Sequence, residues 1–260
     1  MSTVSVLIAA YQAPAWITGC LEAVFAQRLP PGWRLQVLLG IDGCEATLNA
    51  VRSLRHDALE VVYAPSNQGT YLMFNTLIQY ARGELICRFD ADDLMCPDYL
   101  LTQIQAIESG ADMTLTWSIY TDADLNRIPV YSKRNGLEDA DGHCRIGWEG
   151  QFVMRRAVWE RLRAFRPWRT SADTDFSNRV RAAGFKQVVI EQFLYWRRKH
   201  ANALTAHPDS GFQSPMRLAV EKLNAEFLLK YQAGIDDLGV EPEFALGHRL
   251  LWAGHQPASP

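Results

Sequence analysis

Apolar and polar positions alternate in blocks along the first 120 residues, and the blocks differ in period. Val4 to Ala10 is a short, mainly apolar run of strand length. From Pro14 to Gln27 apolar residues recur at helical spacing, with proline in its favoured first-turn place. Pro30, Pro31 and Gly32 then break the chain. Leu35 to Ile41 reads as a second buried strand ending at Asp42 and Gly43, and residues 45–56 as a helix. Leu59 to Ala64 is a third strand, stopped by Pro65. Thr70 to Arg82 predicts a helix with Gly83 as its stop, and Leu85 to Phe89 a fourth strand ending at Asp90. Pro97 to Ser109 predicts a helix ended by Gly110, and Asp112 to Tyr120 a further strand.

Strands alternating with helices imply right-handed crossovers and a mostly parallel sheet covered on both faces, an α/β fold. Ligands bind such sheets at the carboxyl ends of the strands. Three strands end there at polar residues: Tyr11 with Gln12, Asp42, and Asp90. After residue 120 the pattern loosens. Residues 121–150 are rich in Gly, Asp and Arg and read as loops or a short hairpin. Arg155 to Phe165 and Asp173 to Ala183 predict helices, and Val188 to Ile190 and Phe193 to Trp196 short strands. Ser214 to Tyr231 predicts an amphipathic helix with Leu218, Leu223, Phe227 and Leu228 among its apolar positions.

Composition narrows the class. The 260 residues are 48% hydrophobic and 21% charged with a formal charge of −3, which excludes disorder as the main state. Five cysteines, widely spaced and with no C-x-x-C, suggest neither a disulfide framework nor a zinc site, and fit a reducing, cytoplasmic setting. No run approaches the ~18 apolar residues of a membrane span. The small net charge hides an uneven distribution. Residues 1–126 carry −8, residues 127–200 carry +8, and residues 201–260 carry −3. An acidic first part suits a cation and a basic middle suits an anion, although solvated helix faces give the same signal.

Asp90, Asp92 and Asp93 follow a strand directly. Three carboxylates within four residues repel one another unless a cation or hydrogen bonds offset the charge. Such oxygen donors suit Mn²⁺ or Mg²⁺ bound together with substrate phosphates. Alone, D-x-D is equally the pattern of a solvated acidic turn.

The surrounding residues resemble a known family. Asn67, Gly69, Asn75, Ala81, Gly83, Ile86, Arg88, Asp90, Asp92, Asp93 and Pro97 fall without a gap on the nucleotide-sugar core of family 2 glycosyltransferases of the GT-A fold. Val4 to Tyr11 looks like that family's opening strand, and Asp42-Gly43 like its D-D-G-S turn, with Ile41 and Cys44 in place of Asp and Ser. Ser171-Ala172-Asp173 resembles the catalytic E-D motif with Ala172 in place of Glu, and Leu194 to His200 the closing L-Y-x-x-R-x-H. The resemblance covers roughly residues 4–205 and is specific in 67–97.

It implies a GT-A type domain over 1–205, with a nucleotide-sugar-binding half at 1–120 and an acceptor half at 121–205. Residues 206–260 are then a C-terminal helical extension packed on the same domain. It also implies metal-dependent, inverting transfer from a nucleotide-diphosphate sugar, UDP favoured, to an acceptor hydroxyl. Asp173 is the implied base, with Asp175 its rival. The expected donor contacts are Tyr11, Asp42, Asn67, Gly69, Asn75, Arg88, Asp90 and Arg198, and the expected metal ligands Asp90, Asp92, Asp93 and His200. Arg197, Arg198 and Lys199 could neutralise phosphate, and Arg88 is expected to pair with a carboxylate. Tyr71, Trp148 and Trp196 could stack on an acceptor ring. The acceptor is a glycan or lipid-linked glycan by default, with a polyanion such as DNA bearing hydroxylated bases as the alternative that the +8 segment raises. The Ile41 and Ala172 departures also admit a catalytically idle sugar-nucleotide-binding protein. A nucleotidyltransferase fits less well, because residues 9–14 lack a Gly-rich basic loop. Donor sugar, linkage and oligomeric state stay open.

Overall fold

The computed structural model describes residues 1–132, 137–147, 150–235 and 237–257. The first half runs β1 (Ser2–Ala10), α1 (Ile17–Phe25), β2 (Trp33–Asp42), α2 (Glu45–Val51), β3 (Leu59–Ala64), α3 (Thr70–Leu77), β4 (Leu85–Asp90), β5 (Leu94–Met95), α4 (Tyr99–Glu108) and β6 (Met113–Thr121). Then come β7 (Val130–Ser132), β8 (Leu137–Asp139), β9 (His143–Cys144), β10 (Phe152–Arg155), α5 (Arg156–Leu162), α6 (Ala172–Ala182) and β11 (Gln187–Arg198). The C-terminal part holds α7 (Pro215–Gln232), β12 (Arg249–Ala253) and β13 (Gln256–Pro257).

The main sheet has the order β13-β12-β3-β2-β1-β4-β10-β6-β11-β5, with β9 paired to β6 off this path. Strands β3, β2, β1 and β4 are parallel, as the alternating pattern requires, and β6 and β11 are parallel too. Between these groups β10 runs antiparallel to both β4 and β6. One apolar cluster fills each face. Val6, Ile8, Val37 and Leu39 point to α1 and α4, and Leu7, Leu38 and Ile86 point to α3, α5 and α6. The period-2 alternation along β1 and β2 thus feeds two cores at once.

Several predicted elements differ in extent. The helix expected over 45–56 stops at Val51, and the one over 70–82 stops at Leu77, where turn bonds from Gln79, Tyr80 and Ala81 tighten its end. The two short strands expected near 190 are one strand, β11, broken in register at Ile190/Phe193 and Phe193/Tyr195. The hairpin expected within 121–150 is β7-β8.

The largest difference is at the C-terminus. Residues 206–260 are not purely helical: β12 pairs antiparallel with β3 and covers that edge of the sheet. Helix α7 occupies the predicted place but turns its polar side inward. Arg217, Val220, Asn224 and Tyr231 are buried, while Leu218 and Leu223 are 52% and 40% exposed. Among the described residues, no helix is long and apolar enough to cross a membrane.

Candidate active site

The carboxyl ends of β1, β2 and β4 open into a cavity of about 530 Å³, a size that suits a small-molecule ligand. Tyr11, Asp42, Asn67, Gly69, Arg88, Asp90, Asp92, Asp93, Asp173, Arg198 and His200 all line it. Eleven residues scattered from 11 to 200 therefore meet in one place.

Asp42 ends β2 and is buried. Its Oδ1 accepts from the Gln68 amide at 2.8 Å, and its Oδ2 accepts from the Gly69 amide at 2.8 Å and Asn67 Nδ2 at 3.0 Å. The carboxylate thus fixes the loop that enters α3. Burial raises its pKa, and the two amide bonds oppose that rise. Arg169 donates to Asn67 Oδ1 at 2.7 Å from the far side. Gly43 has φ +67 and lies against the backbone of Ser66 and Asn67, so a side chain there is excluded twice over.

The three carboxylates after β4 do different things. Asp90 pairs with Arg88 Nη2 at 3.1 Å, as expected of an arginine inside a buried strand. Arg88 also donates to the Gly150 carbonyl and lies over the Phe74 ring, 4.7 Å from its centroid. Asp92 meets His200 Nε2 at 2.8 Å, and the imidazole stacks on Trp16 with centroids 4.0 Å apart. Asp93 is buried, and both its oxygens are taken, by the Arg198 amide at 2.8 Å and by Gln151 Nε2. Arg198 also donates Nη1 to the Asp92 carbonyl at 2.6 Å, which locks the turn.

Burial first, then Asp92 and Asp90, push the Asp93 carboxyl well above the ordinary carboxylate range. Burial also raises Asp90, with Arg88 opposing it and Asp92 adding to it. A divalent cation would relieve this crowding. His200 Nδ1 and Gln151 Oε1 are buried without a hydrogen-bond partner, so polar capacity beyond the protein's own bonds exists at the site. Asp90, Asp92 and His200 are of the donor types that suit Mn²⁺ or Mg²⁺ with substrate phosphates, while both oxygens of Asp93 already accept from protein donors. Among the described residues, the group whose ligand atoms lie within 4.8 Å of one another is elsewhere: Asp139, Asp141 and His143. Asp139 there accepts from Arg145 Nη1 at 2.9 Å and belongs to the β8-β9 turn.

Asp173 lies in the first turn of α6. Its Oδ1 accepts from Tyr71 Oη at 2.9 Å and from the Thr174 amide at 2.9 Å. Gly150 has φ +90, and a Cβ there would lie 2.7 Å from Asp173 Oδ2 and 2.6 Å from Arg88 Nη1. That close approach keeps room beside the second carboxylate oxygen.

Two expected site residues are not brought to the cavity. Asn75 is buried on α3, where it donates to the Phe165 and Glu243 carbonyls and accepts from the Phe165 amide. Both its amide protons and one acceptor position go to joining chain segments, and its burial keeps it away from the cavity. Asp175 is fully buried one turn behind the cavity, paired with Arg179 Nε at 2.8 Å and Arg166 Nε at 3.3 Å, and accepts from Tyr231 Oη at 2.7 Å. Among the aromatics, Tyr71 lines the cavity but its hydroxyl serves Asp173, Trp196 lies off the cavity under Arg127, and Trp148 lies outside the described residues. Arg197 lines the cavity, whereas Lys199 sits over the Tyr120 ring at 4.2 Å.

Trp16, Arg169 and parts of the stretch from Asn202 to Arg217 also line the cavity, unannounced by any motif. They reach it only through tertiary packing, so no local pattern marks them.

A carboxylate-rich cavity at the carboxyl edge of a mostly parallel sheet lies where α/β folds bind their ligands. The sequence profile described as "Glycosyl transferase family 2" matches residues 5–192, and the chain belongs to that family. The putative glycosyltransferase EpsH of Bacillus subtilis (strain 168) is 29% identical over 114 residues, which cover 43% of this chain and 32% of that protein. The uncharacterized protein y4gI of Sinorhizobium fredii is 32% identical over 127 residues, 46% of this chain and 13% of that protein. The chain thus spans a third or less of these curated relatives. Among solved structures, S. aureus TarS 1-349 in complex with UDP-GlcNAc superposes with TM-score 0.61 at 20% identity, covering 90% of this chain and 71% of that one. The mannosyltransferase PcManGT of Pyrobaculum calidifontis, solved with GDP-Man and Mn²⁺, gives TM-score 0.58 at 16% identity, covering 90% and 72%. At these identities the likeness shows the fold, and it is the GT-A type that the sequence resemblance implied.

Proposed function

We propose that the protein transfers a sugar, with inversion, from a nucleotide-diphosphate sugar to an acceptor hydroxyl, and that UDP is the nucleotide. The observation that carries this reading is that Asp173 and the Asp90–Asp92–His200 group open into the same cavity. Asp173 Oδ1 is held by two donors, so Oδ2 is the atom that takes the acceptor proton. As the acceptor oxygen bonds to the sugar's anomeric carbon, the bond from that carbon to the phosphate oxygen breaks. Its electron pair leaves with the nucleoside diphosphate. Asp90, Asp92 and His200 would hold a divalent cation, which would supply Lewis-acid neutralisation of that diphosphate. Tyr11, Asp42, Asn67 and Gly69 border the nucleoside, and Arg197 and Arg198 border the phosphates. Asn75 and Asp175 hold the frame and touch no substrate.

The acceptor in this reading is a glycan or a lipid-linked glycan. The +8 of residues 127–200 keeps DNA as an outcome to test: retention on a DNA column that weakens steeply with salt replaces the glycan by a nucleic acid.

The test is the melting temperature against UDP, GDP, TDP and CMP, each with and without Mn²⁺. A ligand of the native state raises it by mass action. A rise with UDP that needs Mn²⁺ is the expected result. Binding without UDP release from any UDP-sugar points to an idle binder, and no rise with any nucleotide overturns the reading.

A further inference from the structure

The family match ends at residue 192, and α7 lies beyond it. The helix buries a stripe whose members are seven residues apart, Arg217, Asn224 and Tyr231. Two helical turns separate successive members, so all three face one way. An apolar stripe would be the ordinary means of holding a helix on a core. This stripe is polar, and each head group grips the first turn of α6 or the residue before it. Arg217 Nη1 donates to Ser171 Oγ at 3.1 Å, and Asn224 Nδ2 donates to the Ser171 carbonyl at 3.1 Å. Tyr231 Oη donates to Asp175 Oδ1 at 2.7 Å. Asp173 lies between the two gripped residues.

Ser171 needs holding. It stands at the N-cap position of α6 with φ 56 and ψ 16, the left-handed region that is strained for a non-glycine residue. It is also buried, so water cannot satisfy it. Arg217 is itself fixed: its Nε donates to the Ser210 carbonyl at 2.8 Å, and Phe212 lies under its guanidinium at 5.0 Å. Ser210, Met216 and Arg217 line the cavity that Asp173 faces. The same helix therefore walls the cavity and grips the strained turn.

We propose that α7 aims the base: Arg217, Asn224 and Tyr231 are positioning residues that set the orientation of Asp173. The proposal rests on Asp173 acting as the base. Without the grip, Ser171 relaxes toward an ordinary conformation, the first turn of α6 shifts, and Oδ2 loses its aim. Misplacement by about 1 Å costs on the order of 100-fold in rate. The donor half, built on β1, β2 and β4, is untouched by that shift.

The experiment compares the full chain with Arg217→Gln, Arg217→Lys and Tyr231→Phe. UDP release from UDP-glucose with Mn²⁺ reads turnover, and calorimetric titration with UDP and Mn²⁺ reads the donor half alone. Turnover is expected to fall at least 10-fold in Arg217→Gln and Tyr231→Phe while UDP affinity stays within twofold, and Arg217→Lys recovers part of the loss. Equal losses in both readouts, or turnover that follows only the folded fraction, overturn the proposal. A second measurement needs no substrate. Glycine adopts the left-handed conformation freely, so in a Ser171→Gly background the grip has less to hold. Arg217→Gln should then shift the unfolding equilibrium constant at least fivefold less than it does with Ser171 present. Equal shifts overturn the grip whatever the substrate is. A reduced shift without UDP binding in the titration supports the grip and counts against the donor reading instead.

Discussion

At the scale of single residues, Asp173 and Tyr71 make the sharpest pair. Asp173→Asn keeps shape and hydrogen bonding but cannot accept a proton. Turnover should fall about 10²- to 10⁴-fold with UDP binding retained. Wild-type turnover in this variant would remove Asp173 as base. Tyr71→Phe keeps the buried ring and deletes only the donor to Oδ1. A bond to a charged group contributes about 1.5–3 kcal/mol, so kcat should drop about 10- to 100-fold while UDP affinity holds. A change confined to UDP affinity would show that Tyr71 serves the donor. The D-x-D residues were legible in the sequence because crowded carboxylates at a strand end need a physical reason. The pairing of Arg88 with a carboxylate was legible for the same reason. Asn75 misled, because an asparagine on a motif position looks the same whether it binds ligand or backbone. Its contacts, Phe165 and Glu243, are far away in sequence. The Tyr71–Asp173 bond was hidden likewise: 102 residues separate the partners.

At the scale of elements, α6 shows why a motif and its neighbour part company. Asp173 and Asp175 are two positions apart, and a helix turns about 200° between them. One therefore faces the cavity and the other the core. Asp175 and Arg179, four apart on that core face, are both fully buried and 2.8 Å apart. Asp175→Asn removes the charge and leaves Arg179 without its counter-ion, which costs about 3–5 kcal/mol. Urea denaturation should show that loss. By contrast, removing Asp98 from its exposed pair with Arg28 should cost under about 1 kcal/mol. A small loss in Asp175→Asn would mean water reaches the pair. The period-2 and period-3.6 patterns gave every element of the first 120 residues except the two-residue β5, since each packs an apolar face on one sheet. Helix α7 was placed by the same method, but its inward face was not: that face is defined by what α6 offers, a strained serine and a charged aspartate, so Leu218 and Leu223 turn outward. Strand β12 carried a weak signal because its partner, β3, is nearly 190 residues upstream.

At the scale of the whole molecule, the crowded carboxylates after β4 make stability depend on pH in a direction that can be fixed in advance. Burial, with neighbouring carboxylates, raises Asp93 and Asp90 above their unfolded values of about 4. The folded chain therefore binds more protons than the unfolded chain from about pH 4 upward, through the raised values. Stability from these groups is fully present below pH 4 and is lost as pH rises through that window. A cation needs the ionised carboxylates, so it competes with protons for the same oxygens. In metal-free buffer the melting temperature should decline from mildly acidic to neutral pH more steeply than in Asp92→Asn, where one of the repelling charges is gone. Added Mn²⁺ should raise the melting temperature more at pH 7.5 than at pH 5, and Asp92→Asn should lose most of that rise. A Mn²⁺ effect equal at both pH values, or equal in Asp92→Asn, would place the bound cation elsewhere. The Asp139–Asp141–His143 turn would then be the site to substitute next.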